Sequence, residues 1–286
     1  MADGLTALVK DISISPDNFM NIRQFVTSAG LVAGSAIALS APAHAFSFQT
    51  NYTAALSGED AAKGDIFLDS VTLDSGKVIS NFSMVASANI LSNDIYTGGN
   101  SGAASADIGD KATTGIREEA LTNESAAAVL SNLNLNNIID TEDKGSFILD
   151  LNFDKAVDNI FIWERGMNSR LDVQALDANG NEIGHKVQLS NSRNWDNAGF
   201  KLDTQEIGNA QKVGSIGLTL ADLGISDNFI SSLRVSSEGR AYNGPDFKVM
   251  GSVAEQPQEV PEPSALIGLG AVVAGVLTSR RKRQLA

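Results

Sequence analysis

The chain has 286 residues, with 21 Lys and Arg against 34 Asp and Glu, a formal charge of −13, no cysteine and 6% aromatic residues. Without cysteine there are no disulfides, thiolate nucleophiles or cysteine-built zinc sites. The acidity argues against nucleic acid or anionic lipid as a partner, because both need cationic surface.

Residues 1–19 form an acidic lead, with Asp3, Asp11 and Asp17. Residues 20–45 read as an export signal. Met20-Asn21-Ile22-Arg23 opens a short cationic region, Phe25 to Leu39 is apolar with small residues, and Ala43-His44-Ala45 is an A-x-A cleavage site before Phe46. A signal wants a cationic lead, so Met20 is the expected start and 1–19 a misassigned extension. A long leading region is the alternative.

The body, residues 46–253, has the Gly, Ser, Asn, Thr and Asp content of short strands joined by polar turns. Phe46, Phe48, Thr50 and Tyr52 share one parity and predict an opening strand. Val78 to Ile90 alternates as one or two half-buried strands, and Thr97 to Ala106 reads as a mobile loop. Thr113 to Leu133 has helical composition, with Thr122 or Asn123 as a cap, and predicts one or two short helices in a crossing. Phe147, Leu149, Leu151 and Phe153 alternate again. Val157 to Trp163 is apolar on both parities, the mark of a strand covered on both faces. Leu171 to Ala175 and Ile183 to Leu189 flank Asp177-Ala-Asn-Gly-Asn181, a hairpin turn with Asn-Gly at the reversal. Further strands are expected at Gly199–Asp203, Gly214–Leu220, Ser232–Ser236 and Asp246–Val253. About nine or ten strands at this spacing predict an all-β fold, an antiparallel β-sandwich of jelly-roll type.

Residues 254–260 are a polar linker, and 261–286 form a tail. Ala265 to Leu277 gives 13 apolar or glycine residues, followed by Arg280-Arg281-Lys282-Arg283. A full membrane span needs ~20 apolar residues, so this is a short transmembrane helix whose cations stay on the cytoplasmic side. Pro261-Glu262-Pro263 before it keeps the approach extended.

The Pro-Glu-Pro triplet, short apolar helix and terminal basic cluster, in that order, resemble the PEP-CTERM sorting signal of bacterial surface proteins, cyanobacterial members included. The resemblance covers the last tenth of the chain. It implies processing by exosortase, a membrane-embedded cysteine transpeptidase. Pro261, Glu262 and Pro263 would be the recognition motif, and Arg280, Arg281, Lys282 and Arg283 the stop-transfer cluster. The tail would hold the chain in the membrane until it is removed. A permanent C-terminal anchor is the other reading of the tail.

Catalytic signals in the body are sparse. His185 is its one histidine and is read as structural. There is no Gly-x-Ser-x-Gly elbow, and Gly268-x-Gly270 lies in the tail and is no nucleotide loop. Glu164, after the apolar run, is the one carboxylate singled out for glycoside hydrolysis, with an ordinary strand-end acid beside Arg165 as the preferred reading. Asp177 to Glu182 resembles part of a calcium loop, but position 188 is Gln where a Glu is needed, which leaves the hairpin. Trp195, in the polar stretch 191–197, reads as the most exposed aromatic, with Trp163 and Tyr242 as further candidates for a glycan contact. No cofactor or metal is expected. The sequence predicts an exported surface or matrix protein with a structural or binding role, or alternatively a secreted carbohydrate-active enzyme or polysaccharide-binding module.

Overall fold

The computed structural model describes residues 45–97, 104–190, 195–205 and 208–255. Contacts divide the chain into two units, Met1–Leu39 and Ser40–Ala286. The first lies wholly outside the described residues. So do the expected signal helix, the linker from residue 256 and the tail. Among the described residues, no helix is long and apolar enough to cross a membrane.

The body is antiparallel β throughout. Its strands are β1 (Phe48–Ala54), β2 (Ile66–Leu73), β3 (Val78–Ile79), β4 (Phe82–Ser83), β5 (Val85–Asn93), β6 (Ala104–Asp107), β7 (Ile138–Thr141), β8 (Ser146–Arg165), β9 (Arg170–Leu176), β10 (Glu182–Ser190), β11 (Asp196–Leu202), β12 (Gln211–Thr219), β13 (Ile230–Glu238) and β14 (Phe247–Val253). A 3-10 turn spans Gly58–Lys63, and one α-helix, α1, spans Asn123–Leu130. Thr122 caps α1 by a reciprocal box with Ser125, as its sequence suggests. The helical composition before it, 116–121, forms no helix.

The 20-residue strand β8 organises the fold. Its first part pairs with β5 and β13, and its second part, from Val157, pairs with β12 and β14. One sheet therefore runs β10-β9-β13-β8-β5. A second runs β11-β12-β8-β14, with β4 and β7 on β14 and β6 on β7. Straight, β8 would stretch roughly 65 Å at about 3.3 Å per residue. Instead Phe147, near its start, stacks at 5.9 Å on Phe247, which pairs with Glu164 near its end. The strand has folded the first sheet over the second.

The bend lies where the registers slip, between Ile230↔Val157 and Ser232↔Asn152 and again at Ser252/Val253. A slip exchanges faces, because side chains alternate with period two. Phe147, Leu149 and Leu151 (odd) and Ile160 and Ile162 (even) consequently line one core, together with α1. Phe161 and Trp163 face a second core, covered by a third sheet, β1-β2-β3. Phe48 packs edge-on against both rings, at 5.1 and 5.4 Å. Apolar side chains on both parities of 157–163 are explained by these two cores.

The structure departs from the expected sandwich in three ways. The two strands expected at 147–163 are one bent strand. A small third sheet adds a layer. β2, β6 and β7 fall outside the expected set, and β6 takes residues 104–107 from the end of the expected loop, whose residues 98–103 lie outside the described ones.

Candidate functional site

The outer face of the first sheet carries a polar lattice. Alternation on β8 turns Asp150 and Asn152 away from the core, and β13 does the same with Ser232 and Arg234. Asn152 donates to Ser87 at 3.1 Å and accepts from Ser232 at 2.8 Å. Arg234 grips Asp150 with two bonds of 2.7 and 2.9 Å and reaches Glu182 at 2.7 Å. Lys186 meets Asp172 at 2.8 Å and Glu238 at 3.3 Å. The Tyr242 hydroxyl donates to Asp172 at 2.7 Å, and burial together with that carboxylate pushes its pKa up to about 12. The hydrogen bond to Asp172 holds Lys186 above the ordinary lysine range. Of these groups Asp172, Glu182, Lys186, Arg234 and Glu238 line an open cleft of about 380 Å³, where Ile148 is the exposed apolar side chain. The cleft offers donors and acceptors held by ion pairs, the chemistry that reads hydroxyl-rich ligands.

Glu164, the sequence's candidate acid, is 1% exposed. It accepts a 2.6 Å bond from the Met167 amide and thereby organises the turn after β8, where Met167 has a positive φ. Burial pushes its carboxyl well above the usual range. An acid without a face to solvent has no route to a glycosidic oxygen.

Its neighbour Arg165 is the centre of a buried network that the sequence did not announce. Its guanidinium bonds Asp246 at 2.8 and 3.0 Å and Asp140 at 3.1 Å, lies 3.7 Å from Asp107, and donates to Thr204. Lys248, also fully buried, donates to the Val129 carbonyl and, at 3.2 Å, to Asn132, closing the C-terminal end of α1. Burial pushes its pKa well below the lysine range.

The expected exposed aromatic is corrected. Trp195 is only 4% exposed, with its indole N–H donating to the Ser169 carbonyl at 3.2 Å. Pairing of Asp196 with Ser215 lays Trp195 over Gly214, where a Cβ would sit 2.7 Å from the Trp195 Cβ and 3.2 Å from its ring. A lone aromatic among polar residues reads as exposed, but the β11–β12 ladder supplies a glycine floor. Trp163 and Tyr242 are buried too, and Trp163 donates to Thr50 at 2.9 Å. None of the three presents a ring to a sugar.

His185 is exposed on a bulge, with its N–H bonded to the Leu223 carbonyl. At the hairpin turn, Asp177 accepts a 3.0 Å bond from the Asn181 side chain and 2.8 Å bonds from the Asn181 and Asn179 backbone amides, and these lower its pKa. Gly180 has φ +80°, which supplies the reversal without a metal. Among the described residues, no three acids or histidines converge as a metal site.

Of the expected processing residues, Ala45 is half-buried against the first core, and Ala43 lies outside the described residues. Pro261, Glu262, Pro263, Arg280, Arg281, Lys282 and Arg283 also lie outside them. They do fall within residues 259–283, which match the family model of the PEP-CTERM protein-sorting motif. The chain carries a PEP-CTERM sorting motif. The motif implies exosortase-dependent sorting to the cell surface. Neither the curated proteins nor the solved structures yield a match to the chain.

Proposed function

We propose that this PEP-CTERM protein is exported, held briefly in the membrane by its tail and cut by exosortase, and that its β domain then plays a structural or binding role, without catalysis, at the surface or in the extracellular matrix. The motif at 259–283 carries the sorting part. The buried position of Glu164 supports the non-catalytic part. The cleft around Arg234 and Lys186 supports a polyhydroxylated ligand such as matrix polysaccharide, bound through hydrogen bonds rather than ring stacking.

Changing Pro261 and Pro263 to Ala should leave a full-length membrane form in cells that contain exosortase, as read on an immunoblot. Unchanged processing would favour the permanent anchor. For the cleft, Arg234→Ala should release the domain from a polysaccharide column. Equal retention of the variant and the parent would reject the cleft. Hydrolysis of any glycan by the purified domain would reject the non-catalytic reading.

A further inference from the structure

Entry and exit of the chain lie at one end of the second sheet. Phe46 bridges Gly217 by two reciprocal backbone bonds of 2.8 Å. Gly217 is needed there, because a Cβ would come within 2.2 Å of the Phe46 ring. The bridge is antiparallel, so the chain before Phe46 heads towards Thr219, which pairs with Asn159 of β8. On the other side of β8, Ser252 also pairs with Asn159, and β14 ends at Val253. Phe46, Gly217, Phe161 and Met250 form one row across the strands, about 14 Å long at ~4.8 Å per spacing.

The tether on this end is short. Residues 255–260 separate the fold from Pro261, a reach of roughly 20 Å when fully extended. An enzyme in the membrane that holds Pro261 therefore works against this end of the domain. Two exposed apolar side chains flank it, Val78 at 60% and Phe229 at 48%. Val78 follows Lys77, which pairs with Glu255 at 3.5 Å, and Phe229 precedes Ile230, which shares Val157 as a partner with Val253. Asp158 and Glu255 line one hollow with Val78 and Lys77, and Asp227 lies two residues before Phe229. That acidic fringe disfavours anionic lipid and suits a protein surface with apolar contacts and cationic edges.

We infer that this end, with Val78 and Phe229 as its apolar anchors, docks on the outward face of exosortase. The inference rests on the sorting reading above. The test uses the full chain in cells, with an exosortase whose cysteine nucleophile is replaced so that substrate stays bound. A photo-crosslinking residue at position 78 or 229 should join the chain to exosortase. The same residue at 91 or 95, near the opposite end of β5 and its partner Ser146, should not. Equal yields from both ends, or no yield from 78 and 229, would overturn the inference. With active exosortase, Val78→Ser together with Phe229→Ser should slow processing about tenfold, the loss expected for two truncated anchors. Deleting residues 255–258 should stop it. Processing of both variants at the parental rate would also overturn the inference, provided Pro261→Ala still blocks it. If Pro261→Ala is processed normally, the sorting reading itself fails and takes the docking surface with it.

Discussion

Arg165 and Lys248 are both buried cations on the second sheet, and they are held in opposite ways. Among the described residues, Arg165 faces aspartates from β6, from β7 and from the residue before β14. Its planar fork of donors lets one side chain tie those three segments to the end of β8. Lys248 has a carbonyl and an amide oxygen as partners, at the end of α1 where the helix dipole is negative. The first arrangement concentrates charge and fixes strand register. The second places a compact ammonium where a helix end needs a donor. Two cations of equal burial should therefore differ sharply in what their removal costs.

The largest expected effect is Arg165→Met. It takes the Arg165 charge away from the buried Asp107, Asp140 and Asp246, and removing one partner of a buried ion network costs about 3–5 kcal/mol. Urea unfolding should show a free energy of unfolding lowered by that amount, read as an earlier midpoint at unchanged slope. Arg165→Lys should recover only part of it, because an ammonium cannot span three carboxylates. Lys248→Met should change stability by about 1 kcal/mol or less, since relief of desolvation offsets the lost cap. Comparable losses at the two positions would mean that Lys248 is also part of an ion network, and the contrast would fail.

The contrast also explains what the sequence disclosed. Hydrophobic alternation located most strands, because a side chain's face depends on its neighbours two residues away. The doubly covered run 157–163 was legible for the same reason. That 147–163 is one bent strand was not, because the bend is set by register slips against β13 and β14, far away in sequence. In the sequence Arg165 is only the neighbour of Glu164, since its acids come from positions as distant as 107, 140 and 246. Trp195 misled by its polar neighbours in sequence, when its floor is Gly214. The sorting motif was legible because its signal is the order of residues along the chain, and residues 259–283 match the family model of that motif.

pH sharpens the comparison through Lys248. Its folded pKa is depressed, so between that value and the ordinary lysine pKa the unfolded chain binds a proton that the folded chain does not. The parent should therefore gain stability as pH rises through that window, and Lys248→Met should lose that gain. Unfolding midpoints at pH 7 and pH 9 measure the difference. An identical pH dependence of the two proteins would show that the ammonium keeps its proton at the helix end.

The smallest effect is expected beside Arg165, at Glu164. Its folded pKa is raised by burial, with the nearby Asp246 adding to the shift and Arg165 only partly opposing it. Here the folded chain keeps a proton that the unfolded chain releases, so the parent loses stability as pH rises from the ordinary carboxyl range through the folded pKa. Glu164→Gln can still accept the Met167 amide bond and does not titrate. Below the carboxyl range it should match the parent, and at neutral pH it should be slightly the more stable. A variant less stable than the parent at neutral pH would mean that Glu164 is ionised in the fold, and that Arg165 helps to balance its charge.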